Sequence, residues 1–511
     1  MAIDFSQLLP ARQPQPGLNA RFLITRCVGL CGLLWLYSLQ ADDSQLSPPI
    51  LDGKAPAASK APETPAAPAA PAAPKEATPE APPTQRITIP PTIKDFGATG
   101  DGDTDDSAAI QKAVDGGLKP LHFPAGTYRI TKTIEIRLDK VGPLSITGDG
   151  VARIQMEAAG PALRIVGSHQ GTADPQTVTN TTWDRQRSPL IDGIEINGKH
   201  GEAGGIELSG TLQATLSRLT IRGVVHAIRL INRNRNVQIS ECHLYDNRGV
   251  GVFMDTVNLH QINIGNNHIS YNRQGGIVAR DSEIRNLQIT GCDIEGNVGD
   301  GPLAANVLLD CRRGSVREGA ITGCTLQHDH NFNGAANIRM LGASKENTSQ
   351  VGTFVIGNNV LSDVKTNIHL KFARGIVIQG NSFWEGYDQN ILAENCTQLL
   401  IGQNLFDRNP DQKDLLSRCT VELKECTDCV ISGLRMHDIR GKNAALTLDS
   451  CSWCIVNNCM ITDSGETLVD LMKCDNCRLN SCVFRAPHNS IWTKRVRVTG
   501  GHDNLVSDDS R

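Results

Sequence analysis

The hexapeptide Ile-Thr-Gly-Cys-Asp-Ile at 289–294 decides the fold, because its pattern of two apolar ends around mostly small or polar residues recurs along the chain. The further copies share that spacing: Leu-Ser-Arg-Leu-Thr-Ile (216–221), Ile-Ser-Glu-Cys-His-Leu (239–244), Ile-Gly-Asn-Asn-His-Ile (264–269) and Val-Asn-Asn-Cys-Met-Ile (456–461). A short strand-like segment that returns every 20 to 50 residues or so is typical of a solenoid. The repeat therefore predicts a stack of turns built from short strands.

The fourth position of the hexapeptides defines a column that runs through the repeat region. Its members are Ile194, Leu219, Cys242, Asn267, Cys292, Cys324, Asn359, Ser382, Asn404, Leu434, Cys459 and Cys482. The first steps are 25, 23, 25 and 25 residues, and three later steps lengthen to 32, 35 and 30. Loops that interrupt a regular coil often carry function, so we expect a site between Cys292 and Asn359.

The N-terminal region predicts export and a spacer. Arg21 and Arg26 precede an apolar run from Cys27 to Leu39, which predicts a signal peptide or signal anchor at 1–41. The Ala/Pro-rich residues 42–86 predict a disordered linker. We therefore expect a secreted or envelope-associated protein that meets a membrane only through this segment.

The folded part is predicted to be one domain, residues 87–511. The whole chain has a net charge of −4 and no Lys/Arg-rich block, so it has no footprint for nucleic acid. A short amphipathic helix is predicted near 107–116, where acidic residues at its start favour helix capping. The alternation of Asp101, Asp103 and Asp105 is that of a calcium loop, but Asp106 and Lys112 occupy its Gly and Glu positions, which favours a turn.

The same stretch carries motifs of a known family. They are Asp95-Phe96-Gly97-Ala98, Gly100-Asp101-Gly102, Thr104-Asp105-Asp106, Ala109-Ile110-Gln111 and Phe123-Pro124-Ala125-Gly126-Thr127-Tyr128. They resemble the opening of pectate-lyase-like proteins, which include rhamnogalacturonase- and epimerase-like domains and some phage tailspikes. The resemblance implies an all-β, right-handed parallel β-helix with a short N-terminal capping helix. It also implies action on, or binding to, acidic polysaccharide.

The cysteines allow three interpretations. Three Cys-x-x-Cys pairs begin at Cys426, Cys451 and Cys474, a pattern that alone indicates zinc. The pairs recur after 25 and 23 residues, in phase with the turns. Free cysteine behaves as a small hydrophobe, so core columns are favoured, with disulfides or zinc as the alternatives.

A second strand-like segment in each turn indicates where chemistry lies. In Val252-Phe253-Met254-Asp255, as in Ile368-His369-Leu370-Lys371, alternation directs the first and third residues inward and the others outward. The outward fourth positions form one column, Asp255, Arg280, Asp310, Leu341, Lys371, Glu394, Lys424 and Asp449. The outward second positions form a second column, which contains Arg229, Arg339 and His369. Together they predict a face of mixed charge. This face is either a solvated, salt-bridged surface or a groove for an anionic sugar chain.

In the groove interpretation the candidate residues divide by role. Candidate catalytic residues are Asp255, Arg280, Asp310, Arg339, His369 and Lys371. Candidate substrate-binding residues are Arg229, Glu394, His328 and His330, the last two from a His-Asp-His motif in a long turn. A polyuronate lyase must neutralise the uronate carboxylate, remove the C5 proton and protonate the leaving oxygen, and cationic side chains suit this work. No metal ligand set is predicted with certainty, but calcium between Asp255 and Asp310 is a candidate helper.

Two other functions remain open. Asp255 and Asp310, two turns or about 9.6 Å apart, are spaced near the upper end of the range for an inverting glycoside hydrolase. The Asn-Thr-Asp, Asp-Asp, Gly-His-Gly and Arg-Ile-Lys motifs of β-helix polygalacturonases are missing from the repeat region. The other alternative is a non-catalytic surface protein that binds glycan or partner proteins. The favoured prediction is an exported, pectate-lyase-like protein that acts on acidic polysaccharide.

Overall fold

The computed structural model describes residues 90–299, 303–410, 417–465, 467–485 and 495–507. Contacts group the chain into residues 1–85 and 86–511, and the predicted leader and linker lie outside the described residues. The described part is a right-handed parallel β-helix whose strands pair in a 15-stranded and a 27-stranded sheet. The larger sheet bends at a corner, so each turn passes over three faces, here named face 1, face 2 and face 3.

Faces 1 and 2 share the long strands Ile228–Ser240 and Val250–Gly265, which cross the corner between them. The other face 1 strands are Ile134–Arg137, Gly160–Val166, Ala203–Leu212, Gly275–Arg280, Ala305–Asp310, Ala336–Leu341, Val364–Lys371, Gly386–Glu394, Thr420–Lys424, Leu446–Asp449, Val469–Met472 and Val496–Thr499. The other face 2 strands are Leu121–Phe123, Ser145–Gly148, Leu190–Asp192, Thr215–Ser217, Glu283–Thr290, Ser315–Thr322, Val351–Gly357, Arg374–Gln379, Leu400–Gly402, Val430–Ser432, Ile455–Asn457, Arg478–Asn480 and Leu505–Val506. The face 3 strands are Asp101–Asp105, Gly126–Ile130, Ala152–Met156, Glu195–Gly198, Thr220–Arg222, His243–Tyr245, His268–Ser270, Asp293–Glu295, Thr325–Gln327, Val360–Leu361, Ser382–Phe383, Leu405–Phe406, Arg435–His437, Met460–Thr462 and Val483–Arg485.

Helices are few and short in the described residues. The α-helices are Ser107–Asp115, Leu138–Val141 and Asn180–Arg185, and the 3₁₀ helices are Ile93–Phe96, Pro175–Thr177 and Thr348–Gln350. The first α-helix buries Ile110, Ala113 and Val114 in the core at the start of the coil. Among the described residues, no helix has the length and apolarity that a membrane crossing needs.

The core follows from strand alternation. On face 1 the inward positions Ile277, Val307, Ile338 and Ile368 stack in register and are fully buried. The outward partners Asp255, Arg280, Asp310, Leu341, Lys371 and Glu394 align in one column. The predicted alternation is therefore present on face 1.

The hexapeptide column is also present, with one correction. Asn359, Asn381 and Asn404 form a ladder in which each side-chain amide donates to the next side-chain oxygen at 3.0 Å. The prediction that Ser382 belongs to this column is wrong. Ser382 pairs with Val360 in face 3, one residue after Asn359, and Asn381 takes its place in the column. The ladder selects asparagine there because its side chain also satisfies buried backbone groups.

A second asparagine ladder lies at the corner between faces 3 and 1. Its members, joined by amide-to-amide hydrogen bonds of 2.7–3.0 Å, are Asn247, Asn272, Asn297, Asn306, Asn337, Asn367 and Asn390. All are at most 1% exposed. Asn337 and Asn367 stand two residues before Arg339 and His369, so this ladder fixes the start of the strands that carry the predicted site.

The cysteines are core residues. All fourteen in the described chain are free and buried. Cys242, Cys426 and Cys451 each donate their thiol to the carbonyl two residues earlier, as a small buried hydrophobe with a weak donor does. The single group in the described residues that has the spacing of metal ligands, His268, Asp293 and Glu295, contains no cysteine.

Replacing Asn337 by Leu should destabilise the coil by about 3 kcal/mol. The change leaves the Asn306 amide, the Ser362 carbonyl and the Asn367 oxygen buried without their partner. Urea unfolding followed by circular dichroism measures the loss. Gln379→Leu, which alters an exposed amide on a strand, is the control, and equal stability of the two variants would contradict a structural ladder.

The core thiols should be unreactive in the native protein. Burial raises the pKa of Cys242 and of Cys311 to about 12, so neither supplies thiolate at neutral pH. Mass spectrometry after thiol labelling should find Cys242 and Cys311 unmodified before denaturation and modified afterwards. Rapid native labelling at Cys242 or Cys311 would contradict the buried columns.

Candidate active site on face 1

The outward side of face 1 has an apolar floor in its middle turns. Its buried members are Val250, Phe253, Val278, Ala305, Leu308, Ala336 and Leu341, with Leu303 packed against them. The loops between faces 3 and 1 are long here, which is where the hexapeptide steps lengthen. The predicted site residues thus lie around an apolar surface whose side chains are buried.

The first group of charges contains Arg229 and Asp255. Arg229 donates to Asp255 Oδ2 through Nε at 3.0 Å and Nη2 at 2.5 Å, and to Glu207 Oε2 through Nη1 at 3.1 Å. Arg164 holds the other oxygen of Glu207 at 2.8 Å. The group is a ladder of alternating charge along the face, and the side chain of Arg229 is 40% exposed.

The second group surrounds Arg280 and Asp310. Asp310, 4% exposed, accepts from Arg312 Nε at 2.8 Å and Nη2 at 2.7 Å. Burial alone would raise its pKa, but these bonds and the Arg280 charge hold the pKa of Asp310 below its usual range. Arg313 donates two hydrogen bonds to Asp281 in the same way. A cavity of about 310 Å³ is lined by these two residues together with Arg280, Asp310 and Arg312. The exposed guanidinium of Arg280 lies 5.6 Å from the Phe253 ring centre.

The third group joins Arg339, His369, Glu394 and Lys371. Arg339 Nε donates to His369 Nδ1 at 3.1 Å, and His369 Nε2 lies 2.9 Å from Glu394 Oε2. Lys371 Nζ lies 3.8 Å from the same carboxylate oxygen. Because Nδ1 accepts from a guanidinium, the proton of neutral His369 resides on Nε2 and is donated to Glu394.

Arg339 acts as a brace for this group. It is 4% exposed, and its two terminal nitrogens donate to the carbonyls of Ala304 and Gly334, in two different loops. Burial lowers the pKa of Arg339 to about 10, so it stays charged at neutral pH. Arg339 therefore orients His369 from the neighbouring turn. Lys371 is the accessible cation of the group, with 40% of its side chain exposed.

Glu394 is ionised in this setting. The hydrogen bond from His369 is the main reason that the pKa of Glu394 lies below its usual range, with Lys371 adding to it against the effect of burial. Its side chain is 26% exposed. The group thus presents an ionised carboxylate, an N–H donor and a cation side by side.

The two histidines of the His-Asp-His motif separate. His330 stacks on Tyr387 at 3.9 Å between ring centres, on the strand that carries Glu394. The charge of His328 acts on Asp293, which belongs to face 3. The structure brings His330 to the side of the third group and does not bring His328 there.

Asp255 and Asp310 do not form a joint calcium site. Arg280 occupies the turn between them in the register, and each carboxylate is held by its own arginine.

Several contributors were missed by the sequence argument. Glu207 and Arg164 extend the second outward column by two turns, and continued alignment would have found them. His226 packs against Phe253 at 4.8 Å, and burial followed by the Arg229 charge lowers its pKa to about 4. Arg312 lies in a corner, where strand alternation gives no signal.

The comparisons with known proteins agree with this architecture. Residues 92–194 match the family described as rhamnogalacturonase A/epimerase, pectate lyase-like, and residues 177–294 match the right-handed β-helix region. The fold is that of the pectate-lyase-like β-helix proteins. The resemblance stated from the N-terminal motifs is confirmed. Among curated proteins, no sequence matches the chain.

Solved structures similar to this β-helix come from several sources. The A-module of mannuronan C-5 epimerase AlgE4 from Azotobacter vinelandii has 14% identity and a TM-score of 0.41, over 81% of this chain and 99% of that chain. The tailspike protein gp49 of Pseudomonas phage LKA1 has 13% identity and a TM-score of 0.44, over 81% and 84%. The Family 28 exopolygalacturonase of Yersinia enterocolitica has 13% identity and a TM-score of 0.37, over 82% and 78%.

Replacing Glu394 by Gln should lower stability by about 1–2 kcal/mol at pH 7 by weakening a charge-assisted hydrogen bond. Since folding depresses the pKa of Glu394, its contribution is complete above the unfolded pKa of about 4.3 and disappears as pH falls through the folded value. Urea unfolding at pH 7 and pH 3 tests this. The exposed Glu425→Gln is the control, and an equal loss for Glu394→Gln at both pH values would contradict the ionised pair.

Proposed function

We propose that this β-helix is a carbohydrate-active protein that cleaves an acidic polysaccharide by β-elimination on face 1. One observation carries the proposal: a buried arginine, Arg339, orients His369 against the ionised Glu394, with the accessible Lys371 beside them. The family match at 92–194 supports a carbohydrate substrate. Export, predicted from residues 1–41, belongs to the same proposal.

Cations along the face bind the uronate carboxylates. Arg229, Arg280 and Lys371 are all accessible and project from the same side of the sheet. Guanidinium and ammonium groups pair with carboxylates, and pairing at the reacting sugar makes its C5 proton easier to remove. Lys371 takes this role at the cleavage point because it stands next to the groups that transfer protons.

Glu394 and His369 move the proton. The Glu394 carboxylate accepts the C5 proton, the electron pair forms the C4–C5 double bond, and the C4–O bond breaks. His369 Nε2–H protonates the leaving oxygen, and the guanidinium of Arg339, which donates to Nδ1, stabilises the negative charge that this leaves on the ring until the proton is replaced. Protonated Glu394 then returns a proton to His369 Nε2 across the 2.9 Å contact, which restores both groups. The reaction needs no net proton, so a self-regenerating pair suffices.

The hydrolase alternative is less well supported. An inverting hydrolase needs one carboxyl group with a raised pKa to act as acid. The carboxylates of Asp255 and Asp310 both accept hydrogen bonds from arginines, and the pKa of Asp310 lies below its usual range. Neither carboxyl group fits the acid role.

Lyase activity is tested with the purified full chain on polygalacturonate, alginate and other polyuronates, with and without calcium. Cleavage should raise the ultraviolet absorbance of the unsaturated uronide. His369→Gln should lower kcat by 10²- to 10⁴-fold. Lys371→Met should lower kcat/KM at least tenfold. Lys473→Met is the control, since Lys473 is exposed and follows Met472, four turns further along the coil than Lys371, and it should stay near wild type.

Other outcomes overturn the proposal. Glycan binding without any unsaturated product on the whole panel identifies a non-catalytic binder. New reducing ends without the absorbance identify a hydrolase. An equal effect of Lys371→Met and Lys473→Met places the chemistry elsewhere on the coil.

A further inference from the structure

A second cleft lies around the corner from the candidate site, on face 2. Its volume is about 510 Å³. One wall is formed by strand residues that include Arg233, His260 and Arg285, and the other by loop residues 170–173. Arg235 fastens that loop by donating from Nη1 to the Thr172 carbonyl at 2.8 Å. The cleft is therefore a built feature with a fixed rim.

Arg233 in the wall of this cleft has donors without acceptors. It is 7% exposed, and its Nε and Nη2 are shielded from solvent and meet no hydrogen-bond partner among the described residues. Burial, followed by the charge of Arg235, lowers the pKa of Arg233. A buried charge without a partner is costly, and native structures normally provide one.

The same Nε–Nη2 edge is occupied in other arginines of this chain. In each case it grips a carboxylate with two parallel bonds: Arg137 with Asp139, Arg312 with Asp310, Arg313 with Asp281, Arg440 with Asp438 and Arg497 with Asp470. The geometry is the fork that recognises carboxylate, sulfate or phosphate. Arg233 keeps this fork without a protein carboxylate.

Nearby buried nitrogens also lack hydrogen-bond partners in the described chain, namely Nε2 of His169, Nδ1 of His260 and Nε of Arg317. The acid that lines the cleft, Glu283, is 51% exposed and lies 3.6 Å from Arg285. The lining of the cleft thus contains two arginines, Arg233 and Arg285, beside this one acid.

We propose that this cleft is an oxyanion-binding site, in which Arg233 turns its Nε–Nη2 edge towards a carboxylate, sulfate or phosphate group, with Arg285 and His260 completing the shell. Asn258 in the cleft lies three residues from Asp255 on face 1, so their Cα atoms are at most about 11 Å apart. A charged substituent of a polysaccharide bound on face 1 is one source of the anion, and a free oxyanion is the other.

The test measures binding to the full chain, without reference to catalysis. Sodium sulfate and sodium galacturonate are titrated against a chloride background at constant ionic strength, by calorimetry and by thermal unfolding. Saturable binding and a rise in Tm are expected in wild type, and Arg233→Met should weaken affinity at least tenfold. Preference for sulfate indicates a free tetrahedral oxyanion, and preference for galacturonate indicates a substituent of the polymer.

Arg218→Met is the matched control, because Arg218 pairs with Asp192 and its side chain is 63% exposed. Its anion affinity should equal that of wild type. In chloride, Arg233→Met should unfold at the same temperature as wild type or higher, since it loses a buried charge that has no partner. His369→Gln should keep full anion binding, which separates this site from the proposed activity.

The proposal is overturned if wild type shows no saturable response to either anion, or if Arg233→Met retains wild-type affinity. A markedly lower Tm for Arg233→Met in chloride, with anion binding intact, would show that Arg233 is structural. If that variant does not fold, Arg285→Met replaces it, and unchanged affinity there overturns the proposal equally.

Discussion

Hydrogen bonds between buried side-chain amides hold face 1 of this coil in register. Each asparagine in the corner ladder before the last, Asn390, donates to the next asparagine and to a backbone carbonyl, as Asn337 does to Asn367 and the Ser362 carbonyl. At Asn297 the ladder passes to Asn306, nine residues later, whereas its other neighbours are 23 to 31 residues apart. The loops therefore lengthen without disturbing the strands, and Arg339 and His369 keep their places two residues beyond their amides.

The same division between a rigid stack and variable loops explains what the sequence reveals. The hexapeptide repeat and strand alternation predicted the core columns and the outward column from Asp255 to Glu394, because period-2 alternation and stacking act on every turn alike. The corner ladder escaped detection because its members are separated by 25, 25, 9, 31, 30 and 23 residues. Ser382 was misplaced by one position because a neighbouring asparagine, Asn381, fits the column better.

The candidate site was predictable as a set of residues but not as an arrangement. Column membership placed His369, Lys371 and Glu394 on one side of the sheet. It did not show that Arg339 is buried, because that depends on the Ala304 and Gly334 carbonyls in loops without periodic signal. The motif at 328–330 also did not show that its two histidines lie apart. His330 stacks on Tyr387, whereas His328 acts on Asp293 of face 3.

The cysteine columns have a consequence for the order of events during biogenesis. In the folded coil every described thiol is buried, which keeps it away from oxidants and from other proteins. The unfolded chain has no such protection and carries 16 cysteines. In an oxidising compartment the turns must therefore stack before the exposed thiols form disulfides, because folding and thiol oxidation compete.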